Sequence, residues 1–171
     1  MSSRQTSMPS SEALPPAASV AVRVDAGPAI GFGHLARTFV LAEALRARGV
    51  GVRFLLPGMR AEIGELVGRS GFDVSVADRS APDLGLRDAG IGTVLYDLVH
   101  TRWRADKDAL FAEIAALARA GMRIVFIDGY GEESYRCQPD APPVDVVVAP
   151  YVGEPGPCRI RTGRVLAGPR Y

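Results

Sequence analysis

The feature that most restricts this chain is an alternation. Short apolar runs that suit strands take turns with longer segments of helical spacing, from Ser19 to Ala167. Ser19–Val24 alternates small and apolar residues and reads as a buried strand. Further strands are expected at Gly51–Leu56, Phe72–Val76, Thr93–Asp97, Arg123–Asp128 and Val144–Ala149, with a short last one at Arg164–Ala167. Between them the spacing predicts helices over His34–Gly49, Met59–Gly71 and Ala105–Ala120, with a short one at Leu84–Gly90. In the first helix Leu41 and Leu45 lie one turn apart, Arg46 and Arg48 occupy the last turn, and Gly49 stops it. In the second, Ile63, Leu66 and Val67 form the apolar stripe. In the longest, Leu110, Ile114 and Leu117 recur at helical spacing.

Strands that alternate with helices imply βαβ units, a parallel sheet and right-handed crossovers. Unbroken apolar strands such as Ile124–Ile127 and Val146–Val148 suit a sheet covered on both faces. The expected fold is therefore α/β: a Rossmann-like, doubly wound parallel sheet forming one domain over residues 19–167. A chain of 171 residues suits a single domain. Residues 1–18 are rich in Ser, Pro and Ala and lack the apolar segment of a signal peptide, so they read as a disordered leader. Residues 168–171, opening on Gly168-Pro169, read as the start of a linker.

Composition excludes several classes. Twenty basic and 19 acidic residues leave a net charge of +1. That balance argues against a strongly basic nucleic-acid binder and against a highly charged disordered chain. No apolar stretch approaches the roughly 20 residues that span a bilayer, so no membrane span and a cytoplasmic location are expected. Cys137 and Cys158 form no CxxC and have no paired histidines, which points to free thiols and to no metal or cofactor.

Ligands of doubly wound sheets bind beyond the carboxyl ends of the strands. Polar residues gather after those ends, in Asp25–His34, at Pro57-Gly58, in Asp97–His100 and in Asp128–Gly131. Gly31-Phe32-Gly33-His34-Leu35-Ala36 fits the pattern G-x-G-x-x-A. It does not read as a dinucleotide fingerprint. The loop from Asp25 is too long for the tight first turn, and Leu55-Leu56-Pro57-Gly58 lacks the acidic residue that binds a ribose. The remaining reading is a Gly-x-Gly loop that delivers His34 to a helix N-terminus, where the local field disfavours imidazolium. A neutral imidazole can take a proton from water. Simple helix capping by His34 is the plainer alternative.

Arg23 and Asp25 are two apart at the end of the first strand and face the same way, either bracing the loop or touching a ligand. Arg37 lies one helical turn from His34. Asp97 and Asp128 each close a strand, where capping of the next loop competes with a site role. His100, Arg102 and Trp103 read as a surface cluster, and Tyr130 and Tyr135 carry no signal.

The pattern Arg23-x-Asp25-x4-Ile30-Gly31-x-Gly33-His34-x2-Arg37, followed by Leu41-Ala42-x2-Leu45 and Gly49-x3-Arg53-Phe54, resembles the opening of the UDP-sugar hydrolases of pseudaminic acid biosynthesis. Spore-coat polysaccharide relatives begin similarly. Weaker echoes are the strands ending in Asp97 and Asp128 and the closing Leu166-Ala167-Gly168-Pro169-x-Tyr171. The resemblance implies the N-terminal half of a GT-B architecture, two Rossmann-like domains facing each other across a cleft. It implies metal-independent, inverting hydrolysis of a UDP-linked diacetamido-trideoxy sugar, with release of UDP. The family's catalytic histidine falls on His34. Gly31 and Gly33 would give close backbone approach, and Arg23, Asp25, Arg37 and Asp97 would shape the pocket. The sequence holds no counterpart of the family's second domain, so the resemblance implies a fragment, a naturally short gene, or a second chain that supplies the other half. Val99 stands where the family usually has tyrosine. Two alternatives stay open: half of a GT-B glycosyltransferase, and an inert binding or assembly module.

Overall fold

The computed structural model describes residues 19–27, 31–57, 61–77, 85–99, 104–150 and 158–168. The elements run β1 (Ser19–Val24), α1 (Gly33–Arg46), β2 (Gly51–Pro57), α2 (Ala61–Arg69), β3 (Asp73–Ala77), α3 (Gly85–Asp88), β4 (Thr93–Asp97), α4 (Lys107–Arg119) and β5 (Arg123–Ile127). A short 3-10 turn (Tyr135–Cys137) follows, then β6 (Val144–Ala149) and β7 (Thr162–Ala167). The seven strands form one sheet in the order β3-β2-β1-β4-β5-β6-β7, with every neighbouring pair parallel. The chain is a Rossmann-like, doubly wound α/β protein, as the alternation of elements requires. The residues read as a leader, and 169–171 of the linker, lie outside the described residues. Among the described residues no helix is long and apolar enough to cross a membrane.

Side chains alternate along each strand and feed two cores. Ala21, Leu55, Val94, Tyr96, Ile124 and Phe126 face one side, where Leu86 of α3 and Leu110, Ile114 and Leu117 of α4 cover them. Val22, Val24, Phe54, Leu56 and Leu95 face the other, beneath Leu35 and Ala42 of α1 and Ile63 and Val67 of α2. Two-sided burial explains why these strands read as unbroken apolar runs. Phe39, Phe54 and Phe72 close the second core as three rings with centroids 5.2–5.9 Å apart.

Two helix faces differ from the expected ones. The buried line of α1 passes through Leu35, Thr38 and Ala42, leaving Leu41 and Leu45 half-buried at its margin. Leu66 of α2 is about half exposed, because Ile63 and Val67 alone reach the sheet. The α1 helix also stops at Arg46, and Gly49 takes φ +76°, completing the turn that leads into β2.

Candidate functional site at the topological switch point

β1 and β4 lie side by side, yet the chain continues from β1 toward β2 and from β4 toward β5. Their following segments therefore diverge at the carboxyl edge, and a crevice opens between them. Two glycines bracket the exit from β1. Gly27 and Gly31 exchange backbone hydrogen bonds of 3.3 and 2.7 Å, and Gly31 adopts φ +81°, a conformation that L side chains rarely take. The helix begins two residues later. His34 thus enters the crevice as the second residue of α1. The space beside Gly31 and Gly33 is open, so the backbone conformation is what calls for glycine at 31.

Asp97, the last residue of β4, meets α1 there. Its carboxylate is fully buried and holds two partners. Oδ1 lies 2.6 Å from His34 Nδ1. Arg37 Nε donates to Oδ2 at 2.8 Å, and Arg37 Nη2 donates to Oδ1. Arg37 Nη2 also lies 3.3 Å from His34 Nδ1. One turn of helix separates the ring from the guanidinium, so both reach the same carboxylate. The guanidinium supplies the counter-charge that a buried carboxylate needs. With the shared proton on Nδ1, the ring is the Nε2-basic tautomer, and Nε2 has no hydrogen-bond partner among the described residues. The ring is 27% exposed and lines an open crevice.

That crevice holds about 260 Å³ and is walled by His34, Arg37, Leu98, Ile127, Asp128, Gly129 and Tyr130. Its far wall is the segment after β5. Asp128 is only 1% exposed, and although it lines the crevice its carboxylate oxygens are taken up by the loop that follows. Its Oδ1 accepts from Gly129 N and Tyr135 N at 2.8 and 2.7 Å, and its Oδ2 accepts from Arg136 N and Arg136 Nη1 at 3.0 and 2.9 Å. Arg136 Nη1 also donates to Gly129 O at 2.9 Å. Of the two readings of Asp128, loop capping is the one that its hydrogen bonds express.

Arg23 stands elsewhere. It follows Ala21 on the α4 side of the sheet, opposite to α1, and pairs with Glu113 of α4 at 2.8 Å. Tyr96 completes that buried trio by donating to Glu113 Oε1 at 2.6 Å. Burial, together with the Glu113 charge, holds the Tyr96 phenol well above its ordinary pKa. Burial does the same for Tyr135. Asp25 accepts from Val99 N at 3.3 Å and ties the segment after β4 to the end of β1. Arg23 and Asp25 therefore do not pair with each other, and neither walls the crevice; they build the frame beneath it. Ile30, Gly58, His100, Arg102 and Trp103 lie outside the described residues.

Tyr130 and Leu98, to which sequence alone gives no site role, also wall the crevice. Each follows the carboxyl end of a strand by a few residues, and that position is the one signal that could have marked them. A larger groove of about 450 Å³, lined by Met122, Asp145 and Arg161, lies at the amino ends of β6 and β7. That is the wrong edge of a parallel sheet for a site of this kind, and Asp145 there is engaged by Ile124 N at 2.7 Å. Among the described residues no three His, Cys, Asp or Glu side chains come together as a metal site.

Fold and crevice define a class: a doubly wound α/β domain with a carboxylate-held histidine at its switch point. No protein-family model, curated protein or solved structure matches the chain.

Proposed function

We propose that this chain is the sugar-side domain of a nucleotide-sugar hydrolase, acting on a UDP-linked diacetamido-trideoxy sugar with inversion. In this reading His34 Nε2 takes a proton from a water molecule as the water attacks the anomeric carbon. The bond from that carbon to the diphosphate oxygen breaks, UDP leaves with the electron pair, and the proton passes from His34 to solvent. Asp97 holds the ring with Nδ1–H inward and Nε2 outward, and stabilises the imidazolium formed during the step. Arg37 balances the carboxylate. UDP is a good leaving group, so positioning and deprotonating water is the main task.

The observation that carries the proposal is the 2.6 Å contact from His34 Nδ1 to the buried Asp97, on a ring that lines an open crevice. The resemblance of the Arg23-to-Arg37 pattern supplies the substrate class. A crevice of about 260 Å³ is small beside the 300–1,000 Å³ typical of ligand sites. In this reading it takes the sugar ring, and the nucleotide falls to a second domain. The test is UDP release from such a sugar by the chain together with that second domain. His34→Ala abolishes release while far-UV dichroism stays unchanged. Release that survives this substitution removes His34 from the mechanism.

A further inference from the structure

Tyr130 is a large aromatic side chain, 63% exposed, with no hydrogen bond or ring contact among the described residues. Exposed aromatics of this size are often mobile, but the backbone on both sides of this one is pinned. On one side the Gly129 amide donates to Asp128, and the Gly129 carbonyl accepts from Arg136 Nη1. On the other, the Gly131 carbonyl accepts from Ser134 Oγ at 2.7 Å and from Ser134 N at 3.2 Å, with Gly131 held at φ +83°. The ring therefore stands on a fixed base, and it walls the same crevice as His34. An unpartnered aromatic on a pinned backbone, walling a crevice beside His34, offers an apolar face to a ring-shaped ligand.

We infer that Tyr130 is the stacking platform for the sugar ring, packing its face on the ring's C–H groups while His34 addresses the anomeric carbon. This inference rests on the proposed function. The sugar is favoured over the uracil because the proposed reaction places the anomeric carbon beside His34, which walls the same crevice as Tyr130.

The test is a titration of the full chain together with the second, nucleotide-binding domain, the chain unaltered and as Tyr130→Ala and Tyr130→Phe, with a UDP-linked diacetamido sugar and, separately, with UDP, followed by saturation-transfer NMR. Tyr130→Ala weakens binding of the UDP-sugar roughly tenfold, leaves UDP binding unchanged, and Tyr130→Phe stays within about threefold of the unaltered chain. Unchanged UDP-sugar binding in Tyr130→Ala overturns the inference while His34→Ala still tests the reading beneath it. Equal weakening of UDP and UDP-sugar also overturns it, since the platform would then serve the base. An unaltered chain that binds no UDP-sugar with the second domain present overturns the functional reading and this inference together.

Discussion

Replacing Asp128 by alanine tests the frame of the crevice without assuming any activity. The carboxylate accepts four hydrogen bonds: three from backbone amides, at Gly129, Tyr135 and Arg136, and one from the Arg136 guanidinium. Asp128 and Arg136 are each only 1% exposed. Removing one partner of a buried ion pair costs about 3–5 kcal/mol, because the other charge stays buried. A stranded buried amide adds about 1–3 kcal/mol. The loop can escape part of this by detaching and letting water in, so the expected loss is about 3–5 kcal/mol, not the full sum. For a domain of this size that lowers Tm by roughly 6–20 °C. Urea unfolding followed by far-UV dichroism gives the free energy, and amide exchange over residues 129–137 should quicken. Placed in an Arg136→Met background, the same substitution should cost about 2 kcal/mol less, since no guanidinium is then stranded. An Asp128→Ala loss below about 0.5 kcal/mol, the range of a surface substitution, would refute the idea that this carboxylate holds the loop.

Two further outcomes follow from buried groups. Asp97→Asn keeps the shape of the carboxylate but can donate to His34 Nδ1. The proton then moves to Nε2, the ring can no longer accept from water, and turnover falls by roughly 10²–10⁴. Binding of the UDP-sugar should change only a few-fold, and turnover within about threefold of normal would contradict the tautomer argument. The raised phenols of Tyr96 and Tyr135 make stability pH-dependent on the alkaline side. Their contribution is complete below about pH 10, where the unfolded chain keeps its phenolic protons. Above it the unfolded chain loses protons that the folded chain retains, so stability falls by up to about 1.4 kcal/mol per pH unit for each phenol. Scanning calorimetry from pH 8 to 11.5 should show a level Tm and then a decline, shallower in a Tyr96→Phe variant. A Tm that holds level to pH 11.5 would contradict this.

The fold was legible because a parallel sheet covered on both faces writes itself into a chain as apolar runs. β1, β4 and β6 fall where those runs predict them. The edges were less legible. Arg123–Asp128 reads as one strand, yet β5 closes at Ile127: the Asp128 amide still donates to Val148 O of β6 at 2.8 Å, while its carboxylate gathers amides from residues ahead of it. Nothing local in the sequence announces such a bond. The Tyr135–Cys137 turn was invisible for the same reason. Arg23 and Asp25 illustrate the converse limit. Their shared direction is set by the two-residue period of a strand, but their separate partners, Glu113 and Val99, lie some 75 to 90 residues further on. His34 and Arg37 were legible as neighbours on one helical turn. Their common anchor, Asp97, became so only once β1 and β4 were known to be adjacent.

The seventh strand forms one rim of the sheet among the described residues. Among the described residues β7 pairs only with β6, and most of its side chains are exposed, Val165 among them. A row of open amides and carbonyls is an invitation to any extended segment that drifts past. Two exposed arginines, Arg161 beside the strand and Arg164 within it, stud this border with like charge. A second molecule presenting the same border would set arginine against arginine. Like charge along such a border disfavours the edge-to-edge pairing of two copies.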